Sequence, residues 1–158
     1  MPVRSAGILL YRRSAGAFEV LLVHPGGPLW ARRDAGAWSL PKGESEPEED
    51  PLAAARREFE EELGCKPPRG RPADLGEVRQ RSGKLVRAWA LAGDLDPAGI
   101  TSNRFEFEWP PRSGQVCEFP EVDRAEWFTL ALAREKINPA QAELLDRLEQ
   151  HLIEGRGS

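Results

Sequence analysis

The stretch that decides the fold is GESEPEEDPLAAARREFEEELGC, which runs from Gly43 to Cys65. Nearly half of its residues are charged, and glutamate supplies most of that charge. A helix is predicted to begin at Pro51, because Asp50 is a good N-cap and proline suits a first helical position that needs no backbone donor. Gly64 is expected to end this helix as a left-handed C-cap, and the alanine, arginine and glutamate residues between these ends favour the helix.

The predicted helix has two distinct faces. Its apolar stripe, at spacings of three and four residues, consists of Leu52, Ala55, Phe59 and Leu63. Glu58, Glu61 and Glu62 share another face, where like charges repel one another unless a cation neutralises them. Three hard oxygen ligands on one rigid face suit Mg²⁺ or Mn²⁺, and the adjacent Arg57 is placed to hold a carboxylate by a bidentate pair. A solvated face with salt bridges is the plainer explanation when REFEEE is taken alone.

The sequence on both sides of this helix predicts strands and further helices. Apolar or alternating segments predict strands at residues 4–13, 18–24, 38–40, 75–80, 85–95, 104–109 and 123–128. Glycine and proline predict long loops at residues 25–37, 41–50 and 110–121. A helical pattern resumes at Thr129, and a final helix follows Asn138-Pro139 with Ala142, Leu145, Leu148 and Leu152 on one face. This order predicts an α/β fold in which a mixed β-sheet is sandwiched between helices.

Length and composition predict one cytoplasmic domain. The 158 residues suit a single core, and 40 % hydrophobic with 30 % charged residues is typical of globular proteins. The net charge of −4 gives no basic surplus for nonspecific nucleic-acid binding, although a divalent cation lets an acidic protein bind phosphates. Cys65 and Cys117 lack metal-ligand or disulfide-rich spacing, and no apolar run suits a signal peptide or a membrane span. We expect one domain over residues 1–153 and a flexible tail over residues 154–158.

A wider spacing gives the acidic helix a family context. Five residues separate Gly43 from Glu49, and seven more separate Glu49 from the segment REFEEELG at residues 57–64. This pattern resembles the Nudix box, the signature of the Nudix hydrolases. Cys65 replaces the aliphatic residue that ends the family pattern, a mild departure because cysteine packs as a small hydrophobe. WSLPKGE before the box and the acidic residue shortly before EWF after it are also similar to the family. Over most of the chain, the resemblance implies a Nudix fold, an α/β/α sandwich.

The resemblance implies an activity and a set of metal ligands. Nudix enzymes hydrolyse a nucleoside diphosphate linked to another moiety, with water attacking phosphorus and Mg²⁺ or Mn²⁺ as the cofactor. By motif position, the ligands would be Glu58, Glu61 and Glu62, joined by a backbone carbonyl at Gly43. Glu49 would assist, either as a further ligand or by pairing with Arg57.

A glutamate must also accept the proton of the attacking water. In the family this base lies either in the box or in a later loop. Glu121 is the loop candidate because it precedes the predicted strand at residues 123–128, and Glu118 is the alternative. The predicted catalytic residues are therefore Glu58, Glu61, Arg57 and Glu121.

Substrate contacts are predicted on both sides of the box. Phosphate contacts are expected from Lys42, Arg81 and Lys84. Trp30, in its Gly/Pro-rich loop, is expected to stack on a base, and Phe105 is a further candidate. Trp38 is expected to pack in the core, and His24, at the end of a strand, is expected to be structural.

The substrate stays open between several classes. PKG in place of PGG is familiar from Nudix enzymes that cleave dinucleoside polyphosphates or inositol pyrophosphates, and from some nucleoside-triphosphate hydrolases. The tyrosine that some diadenosine-polyphosphate enzymes carry downstream of the box has no counterpart, since Tyr11 is the only tyrosine. The expected partner is a small nucleotide or polyphosphate, with no nucleic acid and no membrane. Several Nudix enzymes are dimers, which makes a homodimer possible here.

A second hypothesis belongs to a different class of protein. The chain would then be a non-catalytic Nudix-like module that senses a nucleotide. Such modules usually have a decayed box, whereas every acidic position of the box is present here. The complete box therefore favours the enzyme, and turnover in the presence of metal would separate the two hypotheses.

Overall fold

The structure is a computed structural model that describes residues 3–156. Its strands are β1 (Arg4–Ser14), β2 (Ala17–Pro25), β3 (Lys42–Glu44), β4 (Ala73–Arg79), β5 (Leu85–Ala92), β6 (Arg104–Glu108), β7 (Val116–Pro120) and β8 (Val122–Thr129). Its α-helices are α1 (Pro51–Leu63), α2 (Leu130–Lys136) and α3 (Ala142–Arg156). Within the described residues, none of these helices is both long and apolar enough to span a membrane. Of the predicted tail, residues 154–156 belong to α3, and residues 157–158 lie outside the described residues.

One six-stranded sheet forms the centre of the fold. Its strand order is β4-β5-β1-β2-β8, and β3 pairs with the start of β1. β1 runs parallel to β5 and antiparallel to β2. β3 is antiparallel to β1, with Gly43 opposite Ala6. Parallel and antiparallel pairs share one sheet, so the predicted mixed sheet is confirmed.

Helices cover both faces of this sheet. Successive side chains of β1 point to opposite faces, so Ile8 and Leu9 belong to different core clusters. Phe59 and Leu63 of α1 pack in the cluster that contains Ile8. Leu145 of α3 packs in the cluster that contains Leu9. The predicted α/β/α sandwich is therefore confirmed.

The helix α1 begins and ends where its cap residues predict. The Asp50 carboxylate accepts a hydrogen bond from the N–H of Ala53 at 3.1 Å, and Gly64 ends the helix in a left-handed conformation with φ of 76°. Phe59 and Leu63 are completely buried, and burying a side chain of this size stabilises a fold by about 1.5–3 kcal/mol. This anchored apolar stripe fixes the direction in which the glutamates of the neighbouring face point.

The prediction of a strand at residues 38–40 is wrong. Ser39 and Trp38 form only isolated bridges, to Val23 and to Ile137 respectively. Two neighbouring residues thus pair with different elements, and the following Pro41 has no N–H with which to continue a ladder. The regular strand comes later, as β3, inside the segment predicted as a loop at residues 41–50.

The segment predicted as a loop at residues 110–121 contains a further strand. β7 pairs antiparallel with β6 in a two-stranded sheet of its own. The prolines and the glycine of residues 110–114 form the turn between them, which the N–H of Trp109 closes on the carbonyl of Gln115 at 2.9 Å. These turn residues dominate the local composition, and for that reason the short alternating segment VCEFP was not predicted as a strand.

Candidate active site

The carboxylate of Glu58 lies directly against the backbone of Gly43. β3, held by its pairing with β1, places Gly43 next to α1. A Cβ added to Gly43 would lie under 3.0 Å from all three carboxylate atoms of Glu58, at 2.6 Å from Oε1, a separation that real Cβ atoms essentially never show. Only 13 % of the Glu58 side chain is exposed. Glycine at position 43 therefore makes the room that the Glu58 carboxylate occupies.

One guanidinium group joins three carboxylates of the box. Nε and Nη2 of Arg57 donate to the two carboxylate oxygens of Glu49 at 2.9 and 3.0 Å. Nη1 donates to Glu58 at 3.0 Å and to Glu61 at 3.2 Å. Nη2 also donates to the carbonyl of Glu44 at 3.2 Å, which ties the helix to β3. Of the two arrangements considered for Glu49, the structure contains the bidentate pair with Arg57.

Burial disfavours the charged form of two carboxyl groups on this face. It raises the pKa of Glu58, and the negative charge of Glu61 raises that pKa further. Burial also raises the pKa of Glu62 to about 8, although the positive charge of Lys42 acts in the opposite direction. The N–H of Lys42 donates to Oε2 of Glu62 at 3.3 Å, and burial lowers the pKa of the Lys42 ammonium group. By contrast, the hydrogen bonds from Arg57 lower the pKa of Glu49.

The acidic cluster consists of Glu58, Glu61 and Glu62, and its chemistry fits a hard divalent cation. One rigid helix presents all three carboxylates, and carboxylate oxygens are the ligands that Mg²⁺ and Mn²⁺ prefer. Over residues 3–156, no three potential ligand side chains are already grouped around one metal position. Glu58 and Glu61 both accept hydrogen bonds from Arg57. The guanidinium thus offsets part of the repulsion between these two carboxylates.

Glu121 lies in a segment that is fastened to the end of α1. Its N–H donates to the carbonyl of Asn103 at 2.7 Å, and the N–H of Asn103 donates to the carbonyl of Glu61 at 3.1 Å. The negative charge of Glu121 contributes to the raised pKa of both Glu58 and Glu62, so the group is electrostatically coupled to the acidic cluster. Glu118, the alternative, forms an ion pair with Arg104 at 3.4 Å. The structure therefore couples Glu121 to the acidic cluster.

An aromatic pocket adjoins the same segment. This cavity of about 100 Å³ is lined by the loop 26–30 together with Phe105 and Phe107 of β6. The Trp30 side chain remains 38 % exposed. Gly26 connects the pocket to the segment that contains Glu121, because its N–H donates to the carbonyl of Glu121 at 2.9 Å. Backbone hydrogen bonds through Glu121 and Asn103 therefore link the pocket to the helix that carries the acidic cluster.

The other predicted contact residues are distributed over several places. Lys84 pairs with Glu44 at 3.5 Å and lies close enough to lower the pKa of Lys42. Arg81 lies in the turn between β4 and β5, where its exposed side chain has no ion pair within residues 3–156. As expected, Trp38 is buried in the core. His24 is also buried, with its ring nitrogens at 2.9 Å from Asp123 and 2.6 Å from the carbonyl of Arg33.

Sequence reasoning missed Phe107 and Asn103. Phe107 could have been found from the alternation in RFEFEW, which places it on the same face as Phe105. Asn103 acts through its backbone, so no side-chain pattern marks it. Cys65, the departure from the motif, packs partly buried against the core cluster of Phe59, as a small apolar residue would.

Comparison with known proteins identifies the family. The chain matches the family model of the NUDIX domain over residues 1–148, and it therefore belongs to the Nudix family. The members of this family are hydrolases that act on phosphoanhydride bonds, and the chain is a Nudix hydrolase in this sense. No curated protein matches the chain in sequence.

Solved structures with the same fold are numerous but distant in sequence. A C. elegans Ap4A hydrolase in a binary complex is 24 % identical with a TM-score of 0.65, over 96 % of this chain and 98 % of that one. The NUDIX domain of Shewanella oneidensis NrtR, complexed with ADP ribose, is 16 % identical with a TM-score of 0.65, over 96 % and 89 % of the two chains. The MutT protein from Methanosarcina mazei Go1 is 21 % identical with a TM-score of 0.60, over 95 % of both chains. At these identities, the likeness shows the fold alone.

Proposed function

We propose that the chain is a metal-dependent pyrophosphohydrolase that cleaves a phosphoanhydride bond in a nucleotide polyphosphate. The substrate would be a nucleoside triphosphate or a dinucleoside polyphosphate. The observation that carries this proposal is the link between the acidic cluster and the aromatic pocket, which backbone hydrogen bonds form through Glu121 and Gly26. A nucleotide has a charged phosphate chain joined to an aromatic base, and the two halves of this site match those two parts.

The acidic cluster would hold Mg²⁺ or Mn²⁺, with the backbone carbonyl at Gly43 as a further ligand. When bound, such a cation screens the negative phosphate oxygens and lowers the pKa of water at the site. The chain's own contribution is to fix the carboxylates. Glu58 is held against Gly43, and the bidentate pair between Glu49 and Arg57 fixes the guanidinium that contacts Glu58 and Glu61.

Glu121 would accept the proton from the attacking water. Its side chain is exposed, and its backbone is hydrogen-bonded to Asn103 and Gly26. A base on a segment fastened in this way keeps its position relative to the reacting phosphorus, which general base catalysis requires. Lys42, Lys84 and Arg81 would contact the phosphate oxygens around the reacting group.

The aromatic pocket would take the base. Stacking of a base on an aromatic side chain contributes about 1–3 kcal/mol, and Trp30 and Phe105 offer such faces. One structural neighbour is an Ap4A hydrolase and another is a NUDIX domain complexed with ADP ribose. Both compounds carry adenine, which supports a nucleotide substrate for a chain of the same fold. Hydrolysis of a panel of nucleotides identifies the preferred base.

A substrate panel tests the proposal. Purified protein is incubated with Mg²⁺ and nucleoside triphosphates, oxidised guanine nucleotides, dinucleoside polyphosphates, nucleotide sugars, ADP-ribose or inositol pyrophosphates, and the products are identified by mass. We expect one nucleotide polyphosphate to be hydrolysed well above the rest. Binding without turnover by folded, metal-loaded protein would contradict the proposal and support the nucleotide-sensing module.

We also propose that the protein acts in the cytoplasm. Cys65 and Cys117 are both free thiols in the structure, which supports a reducing compartment. The domain limits at residues 1–153 and the homodimer stay predictions. Size-exclusion chromatography with light scattering measures the oligomeric state directly.

A further inference from the structure

A second charged cavity lies beside α1. This basic cleft has a volume of about 460 Å³ and is lined by Arg56, Arg57 and Glu60 of the helix and by the loop Lys66–Gly70. Arg57 is paired with carboxylates of the Nudix box, which leaves the three cations Arg56, Lys66 and Arg69 beside the single carboxylate of Glu60. The concentration of positive charge is notable because the whole chain has a net charge of −4.

Three of these cations have no partner of their own. Arg57 is engaged by the carboxylates of the Nudix box, but Arg56, Lys66 and Arg69 form no ion pair and no side-chain hydrogen bond with any described residue. The N–H groups of Arg69 and Gly70 also donate to nothing in the described part of the chain. Like charges held together without a counter-charge repel one another, so this group of donors suits an anion with several negative charges.

The wall of the cleft is fixed rather than loose. Pro67 and Pro68 restrict the backbone of the loop. Pro68 packs so closely on Gly93 that a Cβ added there would lie 2.6 Å from its Cγ, and one added to Gly70 would lie 3.1 Å from Cδ1 of Leu91. Lys66 and Arg69 therefore project from a segment that is seated on the end of β5. A preorganised set of donors binds its ligand with less loss of conformational entropy.

We propose that the basic cleft binds an oligophosphate chain. Guanidinium groups donate paired hydrogen bonds to phosphate oxygens, and the lysine ammonium adds a compact charge. A single carboxylate would neutralise only one of the unpaired cations, whereas a chain of phosphates neutralises all three. The site requires no metal and no hydrolysis, so it stands independently of the proposed function.

This oligophosphate has two sources with the same chemistry. Arg57 lines the cleft and also contacts the acidic cluster, so the ligand is either the distal part of a polyphosphate substrate or a free oligophosphate. Calorimetric titration tests the site, and enzyme kinetics distinguish the two sources.

The first test is calorimetric titration of the full chain with inorganic tripolyphosphate in EDTA. Without metal, the negative charge of the acidic cluster repels this ligand, so binding reports on the basic cleft. We expect saturable binding that Arg69→Glu and, separately, Lys66→Glu weaken by about tenfold or more. Arg13→Glu is the matched control, since Arg13 is exposed and lines neither the cleft nor the acidic cluster, and it should bind as the wild type does. No binding, or binding that neither cleft variant weakens, would overturn the proposal.

The second test is kinetic and uses the best substrate of the panel at constant free Mg²⁺. If the cleft holds the substrate's distal phosphates, Arg69→Glu raises KM for a tetraphosphate more than for a triphosphate. If the ligand is a free oligophosphate, Arg69→Glu leaves both KM values equal to those of the wild type, and tripolyphosphate binds together with the substrate. Either result supports the site and identifies the source of its oligophosphate ligand. An inactive protein would contradict the proposed function, while the calorimetric result would still decide the cleft.

Discussion

Gly43→Ala is the substitution that tests the geometry of the acidic cluster most closely. The added methyl group would lie 2.6 Å from Oε1 of Glu58 and under 3.0 Å from its other carboxylate atoms, whereas ordinary contact begins at 3.4 Å. The backbone of β3 is fixed by its pairing with β1, so the Glu58 carboxylate must move. Gly43 has no left-handed φ, and alanine therefore introduces no backbone strain at this position.

The expected effect is large on activity and small on stability. The carboxylate must shift by more than about 1 Å, and a displacement of that size at a catalytic site can cost about 100-fold in rate. This corresponds to about 2.7 kcal/mol of transition-state stabilisation. The free energy of unfolding should change by less than about 1 kcal/mol, because the Glu58 carboxylate is the flexible end of its side chain and can move aside, and because alanine restricts the unfolded chain.

The assay is kcat/KM on the best substrate of the panel, with urea unfolding measured on the same preparation. Gly99→Ala is the matched control, because an added Cβ at Gly99 meets no atom within 4 Å and its φ is not left-handed. Gly99→Ala should leave kcat/KM unchanged and alter the free energy of unfolding by no more than about 1 kcal/mol. If Gly43→Ala retained activity within about threefold of the wild type, the position of Glu58 against Gly43 would not matter for catalysis.

Four further predictions concern single side chains. Glu61→Gln should lower kcat by about 100-fold or more because a metal ligand loses its charge, whereas the neighbouring Glu60→Gln should not. Glu121→Gln should lower kcat by about 100-fold with little change in KM, as expected for the loss of a general base. Trp30→Ala should raise KM for nucleotides by about tenfold through lost stacking, whereas Leu132→Ala, an exposed apolar residue of α2, should not. Because burial raises the pKa of Glu62 from 4.5 to about 8, stability of the metal-free protein should fall as pH rises through that range, and Glu62→Gln should remove this fall and be more stable than the wild type at pH 8.

The outcomes that contradict these four are specific. Equal kcat values for Glu61→Gln and Glu60→Gln would remove Glu61 from the site. An unchanged kcat for Glu121→Gln would show that Glu121 is not the general base. An unchanged KM for Trp30→Ala would separate the aromatic pocket from base binding. Chemical unfolding in EDTA that shows the same pH dependence for Glu62→Gln and wild type would refute the account of its buried charge.

The helix α1 and its acidic face could be predicted from the sequence because their causes are local. Asp50, Pro51 and Gly64 fix the ends of the helix, and spacing alone places Glu58 and Glu61 on one side. The contact between Glu58 and Gly43 could not be derived in this way. It depends on the pairing of β3 with β1, which brings together segments that are far apart in sequence.

The aromatic pocket and the basic cleft could not be predicted from the sequence, for related reasons. The pocket requires the hairpin of β6 and β7 to fold beside the loop 26–30, and the turn residues at 110–114 concealed that hairpin. The cleft forms only because the loop at residues 66–70 lies beside α1. Neither juxtaposition leaves a periodic signal, because periodicity reports which face of an element is buried and not which elements meet.

The most direct test of the central claim is hydrolysis in ¹⁸O-labelled water, with the products identified by mass. The wild-type protein is compared with Glu61→Gln on the best nucleotide polyphosphate, with Mg²⁺ and with EDTA. The account predicts one ¹⁸O atom in a phosphate product of the wild type with Mg²⁺, and almost no product with EDTA or from the variant. Product formed equally fast in EDTA, or by Glu61→Gln, would contradict the claim that the acidic cluster carries metal-dependent hydrolysis.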